Sequence, residues 1–383
     1  MAFELTRAPS PDEVLSEKGF FSNFWRKVFL YASQVKASDI HIESLKSGLQ
    51  VRIRVKGSLI RPFDLVDERE AVQLVDKFKE ISGLDTSTKK VLQDTSFSLA
   101  LTNATYRVSL SPGFQFGECA VLRIIDNGDI PRLENLALPQ SAKTDILWAL
   151  DQKQGLFLVT GPTGSGKSTT LQACIAAMDY KEKKIISIEN PPERILDGIV
   201  HESITSRYSW GDAIKGAMRQ DPDVILVGEV RDKESAKLAI EAAQTGHLVL
   251  TTLHTNNVPA TVTRLITLGI EKYLIADALL FVSAQRLLKA LCECKVSENG
   301  LFKRRKEGCQ LCKFTGYKGR IPILEYCLTP DPDLIFNFDQ KKFAKILKQD
   351  LSSETQKLIN EGTIDYRVDQ PSSHDCPTIG GDQ

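Results

Sequence analysis

The ten residues Gly161-Pro162-Thr163-Gly164-Ser165-Gly166-Lys167-Ser168-Thr169-Thr170 restrict this chain more than any other stretch. They fit the pattern G-x-x-x-x-G-K-[ST] without a mismatch. The apolar run Leu156-Phe157-Leu158-Val159 before them reads as a buried strand, and Lys167 to Met178 after them reads as a helix. Strand, glycine-rich turn and helix in that order make a phosphate-binding loop. Glycines let the backbone turn tightly, so that successive N–H groups point at phosphate oxygens. The helix start adds a partial positive charge. Lys167 is expected to reach the β- and γ-phosphates of ATP, and the Ser168 hydroxyl to take one position on Mg²⁺. Gly161, Pro162, Thr163, Gly164, Ser165, Gly166 and Thr169 complete the expected nucleotide-binding loop.

The rest of the chain supplies a setting for that loop. At 383 residues it exceeds one ordinary core, so two or more domains are expected. Residues 1–20 are polar and read as a mobile lead-in; residues 21–126 alternate short strands with two amphipathic helices and read as a small α+β domain. His41, alone in an alternating segment there, reads as structural. Residues 127–139 read as a linker, and residues 369–383, rich in Pro and Gly, as a disordered tail. Between them, 140–368 alternates elements: helix 140–151, strand 156–160, helix 167–178, strand 184–189, helix 209–219, strand 224–228, helix 233–245, strand 247–253, helix 257–268 and helix 272–290. That alternation predicts an α/β fold with a mainly parallel sheet covered by helices.

Two acidic strand ends and a histidine pair accompany the loop. The run Val224-Ile225-Leu226-Val227-Gly228 leads to Glu229, placed to hold the Mg²⁺ shell or orient water. The run Ile185-Ile186-Ser187-Ile188 leads to Glu189 and Glu193, two carboxylates that could face the γ-phosphate, one of them accepting a proton from the attacking water. His247 and His254 flank the strand Leu248 to Leu253, where a polar His could sense phosphate state or simply be a hydrogen-bonding residue.

Charge and hydropathy exclude several classes. Lys+Arg and Asp+Glu balance at 49 each, so no overall basic field points to nucleic acid. No apolar run reaches the roughly 18 residues of a membrane span, and Met1 to Pro11 carries no leader pattern, so a cytoplasmic protein with membrane contact only through partners is expected. Four of eight cysteines, Cys292, Cys294, Cys309 and Cys312, crowd together; in a reducing compartment their spacing suits a tetrahedral Zn²⁺ site, free structural thiols being the other reading. Cys119, Cys174, Cys327 and Cys376 read as ordinary residues. The run Lys303-Arg304-Arg305-Lys306 between the cysteine pairs is either a solvated loop tip or a surface for an acidic partner or lipid headgroups.

The phosphate loop, the box Ile188-Glu189-Asn190-Pro191-Pro192-Glu193, the stretch Asp221-Pro222-Asp223 through Gly228-Glu229-Val230-Arg231-Asp232, and Thr245-Gly246-His247 with Thr252-Leu253-His254-Thr255 occur in one order. Together with Ser38-Asp39-Ile40-His41-Ile42-Glu43 and Tyr106-Arg107-Val108-Ser109, this order resembles the GspE-like type II secretion and type IV pilus assembly ATPases over roughly residues 35–330. The resemblance implies a RecA-like ATPase domain behind a smaller PAS-like domain, assembled as a homo-hexamer. It implies a motor at the cytoplasmic face of the bacterial inner membrane, acting with an inner-membrane platform protein and without nucleic acid. It further implies Glu193 as general base, Glu229 as the Mg²⁺ acid, His247 and His254 as a His box, and Arg107 and Arg123 as front-domain arginines that reach the nucleotide phosphates. A tetracysteine zinc element, 292–312 here, resembles that of assembly and secretion members; Cys292-x-Cys294 replaces the usual C-x-x-C, and Asn190 stands where the family usually has Asp. The rivals are a retraction or DNA-uptake motor, a nucleic-acid translocase, and a nucleotide-gated scaffold without turnover.

Overall fold

The computed structural model describes residues 9–368, apart from 56–57, 90, 114–116, 127–131, 191, 193, 206 and 313. It divides into two compact units, Met1–Asp129 and Ile130–Gln383. Glu193 and Cys376, like the tail from 369 onward, lie outside the described residues.

In the first unit, helices α1 (Pro11–Ser16) and α2 (Phe20–Gln34) precede strands β1 (Asp39–Leu45), β2 (Gly48–Val55) and β3 (Ser58–Ile60). Helix α3 (Glu68–Ser82) and strands β4 (Gln93–Leu99), β5 (Ala104–Pro112) and β6 (Glu118–Asp126) follow. The strands form one antiparallel sheet in the order β3-β2-β1-β6-β5-β4. Asp67 caps α3 by accepting from the N–H groups of Arg69 and Glu70, and Gly83 ends it at φ 70°. Trp25 and Phe29 of α2 and Phe78 of α3 are buried with Tyr106 of β5. Alternation does the rest: Ile40, Ile42, Val51, Ile53, Val108 and Leu122 point into this core, and their charged neighbours point the other way.

The second unit begins with helix α4 (Gln140–Leu150); Leu133 and Leu138, in the stretch expected to link, are buried in its core. There follow β7 (Gly155–Thr160), α5 (Lys167–Ala176), β8 (Ile185–Glu189), β9 (Val200–Ser203), α6 (Trp210–Ala217), β10 (Val224–Val227), α7 (Lys233–Gln244), β11 (Leu248–Leu253), α8 (Val258–Thr267) and α9 (Lys272–Ala278). The chain continues through β12 (Leu279–Leu291), β13 (Val296–Glu298), β14 (Leu301–Lys303), β15 (Tyr317–Leu328) and helices α10 (Pro332–Phe336), α11 (Gln340–Ala344) and α12 (Leu351–Asn360). Seven strands make one sheet, β15-β12-β7-β11-β10-β8-β9, parallel except for the β12–β15 pair. Strands β7, β10 and β11 are buried on both faces. Their alternate residues feed two apolar layers: Leu156, Leu158, Ile225, Val227 and Val249 on one side, and Phe157, Val159, Val224, Leu226 and Leu250 on the other.

The lead-in expected to be mobile over 1–20 instead carries α1, whose Val14 and Leu15 are buried in the first unit's core. One expected element also differs in type. The stretch 272–290, read as a helix, is helical only to Ala278; Leu279–Leu291 is a thirteen-residue strand pairing with β7 on one side and β15 on the other. A continuous apolar run such as Leu279-Leu280-Phe281-Val282 satisfies helical and buried-strand patterns alike, and the tertiary setting decides.

Candidate functional site

Because β7, β8, β10, β11 and β12 run parallel, their C-terminal ends lie along one edge of the sheet. The segment after each strand therefore collects there, which is where open α/β sheets hold ligands. The loop Gly161–Gly166 leaves β7 at this edge. Gly161, Gly164 and Gly166 sit at φ 143°, 79° and 90°, conformations that only glycine adopts without strain. Space adds a second constraint at two of them. A Cβ on Gly161 would stand 2.4 Å from the Gln285 carbonyl oxygen, and one on Gly166 2.8 Å from Gln285 Nε2.

Lys167 is buried at the first position of α5, and its Nζ donates to the carbonyls of Gly161 (2.9 Å) and Pro162 (3.2 Å). The ammonium is thus held over the loop. Ser165 Oγ is buried with no hydrogen-bond partner among the described residues. A set of left-handed glycines, a buried lysine and an unpartnered hydroxyl fits an anion of phosphate type. Ser168 is half-buried behind Lys167, whereas Pro162, Thr163 and Thr169 are exposed.

At the same edge, Glu229 follows β10 and His254 follows β11. The Glu229 carboxylate pairs with the Arg231 guanidinium, and its Oε2 lies 3.7 Å from His254 Nε2. Burial holds the His254 pKa below its ordinary value, helped by the Lys167 charge and opposed by Glu229. Its surroundings thus favour the neutral imidazole. Glu189 ends β8 beside them: Ser187 Oγ donates to its Oε1 at 2.7 Å, and a Cβ on Gly228 would stand 3.4 Å from its Cγ. Lys167, Glu189, Glu229 and His254 thus share one edge.

His247 does not join them. It precedes β11, its backbone carbonyl accepting from Gly155 N at the start of β7, and its Nδ1 lies 3.0 Å from Ala242 O. Six strand residues separate it from His254, about 20 Å at a strand's rise. The expected His247 contact with nucleotide is therefore corrected: the two histidines bracket one strand and so occupy opposite edges of the sheet.

In the first unit Arg107 and Arg123 are directly opposite each other on β5 and β6, both exposed on the sheet face away from the helices. The row continues to Asp39, which is opposite both Arg123 and Arg54. Asp39 Oδ1 lies 3.4 Å from Arg123 Nε, and its Oδ2 3.6 Å from Arg54 Nε. Arg107 has no carboxylate partner among the described residues. Two like charges directly across a ladder repel, and Asp39 offsets this only on the Arg123 side.

The four cysteines form a second centre. The Sγ atoms of Cys292, Cys294, Cys309 and Cys312 all lie within 4.8 Å of one another. The pairs Cys292–Cys309 and Cys309–Cys312 stand at 3.7 Å and Cys294–Cys312 at 4.0 Å. A tetrahedral zinc with Zn–S bonds of about 2.3 Å requires sulfur separations of about 3.8 Å, so the donor set fits. The backbone N–H groups of Cys309 and Gly316 each donate to Cys312 Sγ at 3.1 Å. Burial alone would push that thiol up; these donors outweigh it and bring it down to about 6. Within the intervening hairpin, Lys303 pairs with Glu298, and the Arg304 guanidinium lies over the Tyr317 ring.

Two further groups escaped the sequence reading. Gln285, buried on β12, donates from Nε2 to Ser165 O (2.9 Å) and accepts from Thr170 Oγ1 (2.8 Å). Glu325, fully buried on β15, accepts at Oε1 from Val258 N (2.6 Å) in the first turn of α8, while its Oε2 has no partner among the described residues. A polar residue inside an apolar strand is the signal for both, but it becomes visible only once Leu279–Leu291 and Tyr317–Leu328 are known to be paired strands.

The family described as "Type II/IV secretion system protein" matches residues 15–369 of this chain. The chain belongs to that family. It is 40% identical over 309 residues to the type II secretion system protein HxcR of Pseudomonas aeruginosa, covering 78% of this chain and 64% of that relative. It is 35% identical over 355 residues to the putative type II secretion system protein E of Escherichia coli K12, covering 85% of this chain and 72% of that relative. The chain thus spans just under two thirds of the first relative's length. Among solved structures, the pilus retraction motor PilT with bound ADP superposes with a TM-score of 0.69 at 26% identity, over 92% of this chain and 97% of that one. The Legionella pneumophila ATPase DotB, at 22% identity and a TM-score of 0.72 over 92% and 96%, shares the fold. Among the described residues no helix is long and apolar enough to cross a membrane.

Proposed function

We propose that this chain is a Mg²⁺-dependent ATPase that powers type II secretion or type IV pilus assembly. It works as a homo-hexamer at the cytoplasmic face of the bacterial inner membrane, docked on an inner-membrane platform protein and without nucleic acid. One observation carries the reading: a glycine loop with a buried lysine shares a sheet edge with Glu229 and His254, in a chain of the secretion family. The second unit is read as a RecA-like domain over 140–368 and the first as a PAS-like domain over 21–126.

The chemistry follows from what each group can do. Loop amides and Lys167 bind the β- and γ-phosphates, and Lys167 exchanges its two carbonyl partners for phosphate oxygens. Ser168 and Glu229 would hold Mg²⁺, which offsets charge on the phosphate oxygens when bound. Neutral His254 and the Glu229 carboxylate orient water, with Glu189 beside them. Glu193 is assigned the general-base role through the family resemblance. Arg107 and Arg123 supply guanidinium charge for the phosphoryl oxygens, whose charge grows in the transition state. The zinc element is structural, ordering a polar hairpin too small to make its own core.

Glu229→Gln tests the reading: ATP turnover is expected to fall by about 100-fold, with ATP binding changed only a few-fold. Turnover within twofold of the parent would overturn the assignment. In cells, deleting the gene is expected to abolish pili or exported protein. The likeness to PilT favours a second reading, a retraction motor; loss of retraction alone, with pili retained, would select it.

A further inference from the structure

We infer that Gln285 is the positioning residue that sets the shape of the phosphate loop, a role outside the loop's own motif. The inference rests on the loop's being the nucleotide site. Strand β12 lies parallel beside β7, with Ala284 opposite Thr160, so the next residue stands level with Gly161. Gln285 is 3% exposed there. Its three polar groups meet the loop along its whole length. The backbone carbonyl is what a Cβ on Gly161 would strike, the side-chain nitrogen is what a Cβ on Gly166 would strike, and the carboxamide bonds Ser165 O and Thr170 Oγ1.

The chemistry of the partners fixes the amide's orientation. Ser165 O accepts only, so Nε2 faces it, and Oε1 is left for the Thr170 hydroxyl. The Ser165 carbonyl and the Gly166 N–H lie on opposite sides of one planar trans peptide. Pinning the carbonyl to Gln285 therefore turns the Gly166 N–H away from β12, toward the side where a phosphate is cradled. The neighbouring Arg286 does a parallel job: its Nη2 donates to Asn256 O at 2.5 Å, two residues beyond His254. The middle of one strand thus ties down both the phosphate loop and the His254 segment. A side chain of equal length lacking the amide would leave Ser165 O and Thr170 Oγ1 without these bonds in a buried place.

The test measures ATP KM, ATP Kd and kcat for the full-length assembly of the parent, Gln285→Met, Thr170→Val and the double variant. Circular dichroism and zinc content check that each variant is folded. Gln285→Met is expected to raise KM and Kd for ATP about tenfold while kcat changes less than threefold. The double variant is expected to lose no more than about threefold beyond Gln285→Met, because the Thr170 bond is already gone. Folded Gln285→Met with KM and Kd within twofold of the parent would overturn the inference. So would fully multiplicative losses in the double variant, or a loss confined to thermal stability and active fraction. A parent chain that binds no ATP would overturn the nucleotide reading itself, and this inference with it.

Discussion

The middle and the far end of β12 hold two preformed sites built on opposite plans. At its middle Gln285 braces a loop of backbone amides and left-handed glycines; past its last residue the chain runs into Cys292 and a cluster of four thiols. The loop is shaped by its neighbours, since its glycines conform to a strand remote in sequence. The cysteine hairpin, with short strands β13 and β14, is closed by its four thiols and flanked by the C-terminal segment, where Tyr366 N donates to Phe302 O and Arg304 N to Asp365 Oδ2. Perturbing the first should cost ligand affinity with the fold intact, and perturbing the second should cost local folding.

Zinc removal gives the largest effect. Structural zinc of this kind contributes on the order of 10 kcal/mol at neutral pH. Cys309→Ser with Cys312→Ser is expected to lower zinc from one per chain to none and to open 292–316 to protease. ATP affinity should stay within a few-fold, measured by metal analysis, limited proteolysis and nucleotide titration. A large loss of ATP affinity would show that β12 couples the two sites, and the contrast would break.

The glycines sharpen the other side. Gly161→Ala must place a Cβ 2.4 Å from Gln285 O at φ 143°, so a loss of about 3 kcal/mol in ATP binding is expected. Gly164→Ala meets nothing within 4 Å and should lose only about 1 kcal/mol. Equal losses by titration calorimetry would remove the claim that β12 shapes the loop.

A smaller effect lies in pH. Burial raises the Glu325 carboxyl to about 7 from its ordinary 4.5, against the pull of the Val258 N–H. Between those pH values the folded chain keeps a proton that the unfolded chain releases. The contribution of the neutral acid is thus full below about pH 4.5 and lost as pH rises through about 7. Glu325→Gln removes the dependence: relative to the parent it should gain about 2 kcal/mol between pH 5 and pH 8 in urea unfolding. The same difference at both pH values would refute this.

What the sequence made legible follows the same division. The loop, the acid after β10 and the four thiols are local patterns, and their grouping could be read from spacing. The parallel sheet could be read from alternation. The strand at Leu279–Leu291 could not, because an apolar run has no period and its partner Tyr317–Leu328 lies beyond the cysteine hairpin. Gln285 was hidden with it. His247 was misplaced because adjacency in sequence across a strand means opposite edges in space. Arg107 and Arg123 are visible in the sequence only one at a time; that they face each other across a ladder needs the register.

The central claim is that this loop grips a nucleotide through Lys167. Its most direct test is equilibrium binding of ATP with Mg²⁺ to the parent chain and to Lys167→Ala. The account predicts saturable binding by the parent and a loss of at least about 30-fold in the variant, the scale of a charge-assisted bond to phosphate. Equal affinity in the two proteins would contradict it.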